Sequence, residues 1–479
     1  MSAWIASIDD LDLEEVKTID LGRHFRHRLY TGNDFASSQQ AFLDFAICDD
    51  QIMVVDTAHL ETIRPICRFT AEPNKEFHGP EAINYLRLGI LDGSEVLGAC
   101  YRGLRACVWA ISDIIRAVEE LEANKNENEN EKTPFIQIKP IRTVDTLDSA
   151  WGIAFHPKMP LIAASDNSET ITWSFGHKRQ SQMRIKNLGG NIPSIDFVEA
   201  STVLVDALPY DRNIYLAFVT LQPTYGNGSA GVWQLDPGRL DEPNYGGRLL
   251  YCQQLPQEGW TVTHISAHRA QTPPKFPWDG PETSKIDSNG YAQYHSLLDV
   301  PSWRGGRELT LDASALPPWL AAQDADMRRR VSKVKGTRMP KMRLKLQDTL
   351  LFTTTSTHAL LCRASDFHCY SIARYSAEPN VHGVRLGTAM TIVQKIEPLG
   401  LFIALTRTGK VVFFRLLKSM GLIGLKHVYT LETGYEYTGI SARPEVLGQE
   451  NGVWYVRLWD LSEQKVTVLR IDGSIRVVN

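Results

Sequence analysis

SAWGIAFHPKMPLIAASDNSETITWSF, residues 149–175, decides how the rest of the chain is read. Trp151-Gly152-Ile153-Ala154-Phe155 alternates and stops at His156-Pro157, where proline has no N–H to give to a strand ladder. Leu161-Ile162-Ala163-Ala164-Ser165 is an apolar run of strand length. Asp166-Asn167-Ser168 is turn chemistry: short polar side chains bond their own backbone and tolerate a left-handed conformation. Thr170 to Phe175 alternates again and is rich in β-branched and aromatic residues. A meander of this size buries one face and cannot stand alone, so it calls for similar units beside it.

Such units recur. They open near residues 41, 84, 149, 191, 260, 388 and 434. Asp92-Gly93-Ser94 and Thr406-Arg407-Thr408-Gly409-Lys410 carry hairpin signals, with glycine supplying positive φ. Helical periodicity is nearly confined to one stretch, where Ser112 caps a helix running to about Ala123 with Ile114, Ile115, Val118 and Leu121 on one face. Repeated meanders leave a propeller, a sandwich or a barrel. The repetition favours an all-β, WD40-like β-propeller of about seven blades, whose ring leaves only short protected edges. The last unit, from Gly434 to Ile471, is one strand short of a four-stranded blade, and residues 16–31 offer the missing strand.

The expected organisation is a flexible acidic lead over residues 1–15 and a single propeller over 16–479. Two stretches interrupt the ring. Residues 122–140 include the polar, low-complexity EANKNENENEKTP and read as a disordered loop between blades. Residues 270–345 are rich in proline, glycine and charge, too long for an ordinary connection, and read as an insertion within one blade.

Composition narrows the function classes. Apolar residues at 43% and charged residues at 22% suit a globular chain with a sizeable core. A net charge of −4 creates no global field that would recruit nucleic acid or anionic membrane. The acidic N-terminus lacks the basic-then-apolar pattern of a signal peptide, and no apolar run reaches the roughly 18 residues of a membrane span. The seven cysteines contain no C-x-x-C pair and read as reduced, buried side chains. A soluble protein of nucleus and cytoplasm is expected.

The motifs point away from catalysis. Gly226-Asn227-Gly228-Ser229-Ala230-Gly231 matches G-x-G-x-x-G, but a strand rather than a helix follows, so it reads as a loop. His24 and His27 have metal-ligand spacing without an accompanying cysteine or acid cluster. His156 reads as a blade histidine bonded to a neighbouring turn. Leu458-Trp459-Asp460 looks like the WD dipeptide, yet it sits mid-unit with another strand after it, and reads as coincidence. Ser462 stands where an arginine would suggest docking to a cullin-ligase adaptor. No nucleophile elbow, phosphate loop or carboxylate pair is found, so no catalytic residue, cofactor or metal is expected.

The sharpest functional signal is the basic run of Arg328, Arg329, Arg330, Lys333, Lys335, Arg338, Lys341, Arg343 and Lys345. Two readings stand: nuclear import or phosphate contact, and a solvated loop. Trp278, Trp303 and Trp319 lie in the same insertion, either as partner anchors or as rings tucked against the propeller. The expected partners are proteins. Nucleic acid is left open, and neither a membrane nor a small-molecule substrate is expected.

SAWGIAFHPKMPLIAASDNSETITWSFG (149–176), NLGGNIPSIDF (187–197), NYLRLGILDGSEVLGACYRGLRACVWAISDIIRAV (84–118), IEPLGLFIALTRTGKVVFFRL (396–416) and WYVRLWDLSEQKVTVLRIDG (454–473) together resemble the fungal Crt-ten family. That family is named for constitutive transcription of ribonucleotide reductase genes. The resemblance implies a WD-like propeller, a role in tuning those genes, and service as a substrate receptor of a cullin ubiquitin ligase. It implies no catalytic residues.

Overall fold

Seven antiparallel sheets stand around a ring; six are opened by strands anticipated above, whereas blade one opens ahead of the expected residue 41, with Phe35–Ser37, and the expected run is its second strand. The computed structural model describes residues 3–8, 11–20, 33–48, 50–59, 63–72, 82–124, 133–176, 179–184, 191–198, 214–221, 228–240, 242, 247–255, 258–270, 285–286, 292–293, 349–355, 358–364, 369–374, 390–406, 409–419, 422–432, 437–447, 452–460 and 463–472. The blades open with inner strands Phe35–Ser37, Ile83–Leu91, Ala150–Phe155, Ser194–Val198, Gly259–Ser266, Met390–Ile396 and Gly439–Pro444. Each inner strand touches the next, and the seventh touches the first, so the circle is closed.

Blade three realises the deciding stretch: Ala150–Phe155, Leu161–Asp166 and Thr170–Phe175 pair in order, and Arg179–Arg184 completes the sheet. The turn after Leu161–Asp166 forms as its chemistry suggests. Asp166 Oδ1 accepts from the Ser168 and Thr170 main-chain N–H groups at 2.8 and 3.1 Å, and Oδ2 accepts from Leu147 N–H at 3.0 Å. The left-handed residue is Glu169 at φ 62°, one position beyond the three expected to tolerate it.

One expectation is corrected here. Alternation suggested one buried face per meander, yet Leu161–Asp166 is buried at every position and Thr170–Phe175 at all but the last. Each blade lies between two others, so both faces pack. Seven apolar clusters follow, one for each seam of the ring. Polar positions survive this burial by bonding locally, as Ser165 Oγ does to Ile192 O at 2.8 Å.

The N-terminus closes the ring. Leu11–Asp20 pairs antiparallel with Lys465–Asp472, the last strand of blade seven, and Ala3–Ile8 pairs outside it. The missing strand thus comes from the N-terminal region as anticipated, but starts earlier than residue 16, and residues 21–32 lie outside the described residues. The acidic lead expected over 1–15 is replaced by strands, because Leu13 and Ile19 find buried places against blade seven and its seams.

The helix α1 (Ile111–Ala123) follows blade two's third strand directly. Ala110 occupies the cap position and Ser112 lies inside the first turn, so the expected serine cap does not form. Ile111, Ile114 and Val118 pack into the seam between blades one and two. The loop expected over 122–140 is also shorter. Glu122 and Ala123 are helical, and Pro134 and Ile136 bond the main chain of Arg68 at 2.8 Å each. Residues 125–132 lie outside the described residues.

Blade five contains the long insertion: Gly259–Ser266 pairs with Thr349–Thr355 although some eighty residues separate them. Within the insertion, Lys285–Ile286 pairs with Ala292–Gln293.

Candidate functional site: the central channel

The inner strands enclose a cavity of about 550 Å3. Its wall carries isolated charged residues, one on each of several opening strands: Arg87 on blade two, Asp196 on blade four, His264 on blade five and Lys395 on blade six. Their strands are otherwise apolar or uncharged near these positions, and the ring brings them together.

Arg87 reaches across blade three. Its Nη1 donates to Ile153 O at 3.1 Å and to Ile195 O at 2.8 Å, and its Nη2 pairs with Asp196 Oδ1. The other Asp196 oxygen accepts from the His264 main-chain N–H at 2.9 Å, and His264 Nδ1 lies 2.7 Å from it. Lys395 Nζ donates to His264 O at 2.8 Å and pairs with Glu397 Oε2 at 3.0 Å. Arg269 lies 3.8 Å from the second Glu397 oxygen. One polar network therefore links blades two through six.

Burial alone would push the Asp196 carboxyl up. The Arg87 and His264 charges, the His264 hydrogen bond and the Lys395 charge outweigh it and hold Asp196 far below the usual carboxylate range. Glu397 is lowered in the same way, with Lys395 overcoming its burial. Both carboxylates are ionised and paired. Neither resembles a general base with a pKa raised toward neutrality. No group of three or more His, Cys, Asp or Glu side chains suited to a metal occurs among the described residues.

The network was legible only in part. A lone charge inside the opening strand of several units, as in NYLRLGIL, SIDF and IVQKI, was the signal that sequence reading passed over. His156 behaves as expected: its carbonyl accepts from Asp92 N–H of the blade-two turn at 3.2 Å, and its ring meets Phe197 edge-on. After Gly228, the glycine-rich stretch enters the strand Ser229–Leu235, as a loop-to-strand reading requires. Trp459 lies on blade seven's second strand, fully buried, where it stacks on Phe35. The described cysteine side chains are free thiols, buried except for the half-buried Cys252.

His24 and His27 lie outside the described residues, as do Trp278, Trp303, Trp319 and the whole basic run from Arg328 to Lys345. The insertion that carries the latter residues leaves the ring just after Ala267–Arg269, beside Glu397. No helix among the described residues is long and apolar enough to cross a membrane.

Comparison with known proteins agrees with this architecture. Residues 32–220 match the family model described as CRT10. A WD40 repeat-containing protein of Dictyostelium discoideum is 34% identical over 135 residues, a stretch that takes in 28% of this chain and 17% of that protein. The solved WD40 domain of Toxoplasma gondii coronin superposes with a TM-score of 0.51 at 9% identity, covering 100% of this chain and 90% of that one, which is likeness of fold.

Proposed function

We propose that this CRT10-like propeller of the WD type is a non-enzymatic platform that tunes transcription of ribonucleotide reductase genes by holding regulatory proteins together. The match over residues 32–220 supports the regulatory role. The observation that carries the platform reading is the paired state of the channel: Arg87, Asp196, His264, Lys395 and Glu397, from four blades, are committed to one another. Such a network makes the ring rigid and leaves its loops and edges for recognition. A finer reading is a substrate receptor of a cullin ubiquitin ligase in nucleus and cytoplasm, with the insertion contributing to partner choice.

Affinity purification from cells, with the full chain and with a chain lacking residues 270–345, tests both levels. Recovery of transcription components with a cullin or its adaptor supports the reading, and their loss on deletion assigns the contact to the insertion. Recovery of none of them with the full chain overturns it.

A second reading rests on the basic run, nine cations between Arg328 and Lys345. Direct nucleic-acid contact through it would fall steeply with salt. Binding to DNA or RNA that is absent, or that salt leaves unchanged, removes this reading.

A further inference from the structure

Among the described residues, the seam between blades seven and one buries two guanidinium groups, Arg443 and Arg457, against one carboxylate, Asp44. Ser441, Arg443, Tyr455 and Arg457 project from one face of blade seven, two on each of its first two strands. Arg443 is 2% exposed and Arg457 1%, and Asp44 of blade one, the carboxylate beside them among the described residues, is fully buried. Asp44 is already engaged. Its Oδ1 accepts from Ser37 Oγ at 2.6 Å, and its Oδ2 accepts from Ser441 Oγ at 3.1 Å and lies 3.5 Å from Arg457 Nη1.

Both guanidinium groups converge on one neutral acceptor. Arg443 Nη2 and Arg457 Nη2 donate to Thr57 O, the latter at 3.4 Å. Arg443 Nε, Arg443 Nη1, Arg457 Nη1 and Thr57 Oγ1 are buried and have no hydrogen-bond partner among the described residues. The remaining acids nearby are committed elsewhere: Asp56 to Arg64 at 3.2 Å and Glu445 to Tyr455 Oη at 2.9 Å. Burial and the like charge of Arg457 lower Arg443 to about 10, despite the opposing pull of Asp44 and Asp56. A cluster of buried donors with surplus positive charge calls for an acceptor that carries negative charge.

We propose that this seam holds one small inorganic anion, of halide size, against Arg443 and Arg457. Size follows from enclosure. The unpartnered nitrogens have almost no exposed surface, and the Phe42 ring lies over Arg443 at 4.5 Å. A phosphate group or a partner's carboxylate would need an open mouth. Through the Thr57 hydroxyl the anion ties the first two strands of blade seven to blade one, at the seam beside the blade that the N-terminal strand fastens.

The test uses the full chain purified in sodium gluconate. Chloride replaces gluconate at constant ionic strength while thermal unfolding is followed. The melting temperature rises by about 1 °C for each tenfold increase in chloride above its dissociation constant. Arg443→Met loses the chloride response. Should that variant fail to fold, crystals of the unaltered chain grown in bromide decide: an anomalous peak against the Arg443 guanidinium supports the site. Equal melting in chloride and gluconate, or no bromide peak there, overturns it.

Discussion

Arg87 of blade two pairs with Asp196 of blade four, passing over blade three and bonding the Ile153 carbonyl on the way. Neighbouring blades are joined mainly by apolar seams, whereas this pair couples blades that do not follow one another. Removing one partner strands the other in a mostly buried wall. Asp196→Asn is expected to cost about 3 kcal/mol in denaturant unfolding. Adding Arg87→Met recovers part of that loss. A double-mutant cycle with no coupling between the two positions would show that the pair has no energetic role.

Acid should weaken the same network. Asp196 and Glu397 have folded pKa values below those of the unfolded chain, near 4. The stability they contribute is present above about pH 4 and is lost as the pH falls toward their folded values. Glu95 has the opposite sign: burial raises it despite bonds from Gln39, Ser38 and Gln40, so it gains stability on protonation. Melting scans from pH 7 to 3 should show a drop below about pH 4 that Asp196→Asn flattens. An identical drop in the variant would remove Asp196 from the account.

The N-terminal strand tests ring closure. Leu11–Asp20 covers the edge of Lys465–Asp472, with Glu14 lying 3.9 Å from Arg470. Deleting residues 1–20 should raise hydrogen exchange over 465–472 by at least about tenfold and lower the melting temperature. A peptide of residues 1–20 added in excess should restore protection. Unchanged exchange after deletion would mean that blade seven closes without it.

Gly439 makes room for the stack of Phe35 on Trp459, whose rings lie 4.4 Å apart at 12°. A Cβ at position 439 would collide with the Phe35 ring. Gly439→Ala should cost about 1–3 kcal/mol, and Phe35→Leu in the same chain should relieve part of it. Equal stability of Gly439→Ala and the unaltered chain would show that the seam yields freely.

The blades were legible because each is a local object. Turn residues such as Asp92-Gly93 and Asp166 sit within one meander, and strand-length apolar runs mark the sheet whatever surrounds it. Burial on both faces was not legible, since Thr170 and Thr172 look like solvent-facing positions until a second blade covers them. Ser112 illustrates a different loss: a good capping residue stays uncapped when a strand runs straight into the helix.

The local sequence alone determined that this chain makes small sheets, about seven of them, the last incomplete. Hydrogen bonds between neighbouring segments and turn chemistry act over a few residues, so they can be read from a string. Only the tertiary structure decided that Arg87, Asp196, His264 and Lys395 meet, and that Arg443, beneath Phe42, and Arg457 share the Thr57 carbonyl. Those contacts join residues tens to hundreds of positions apart, and their distances depend on how the whole ring closes.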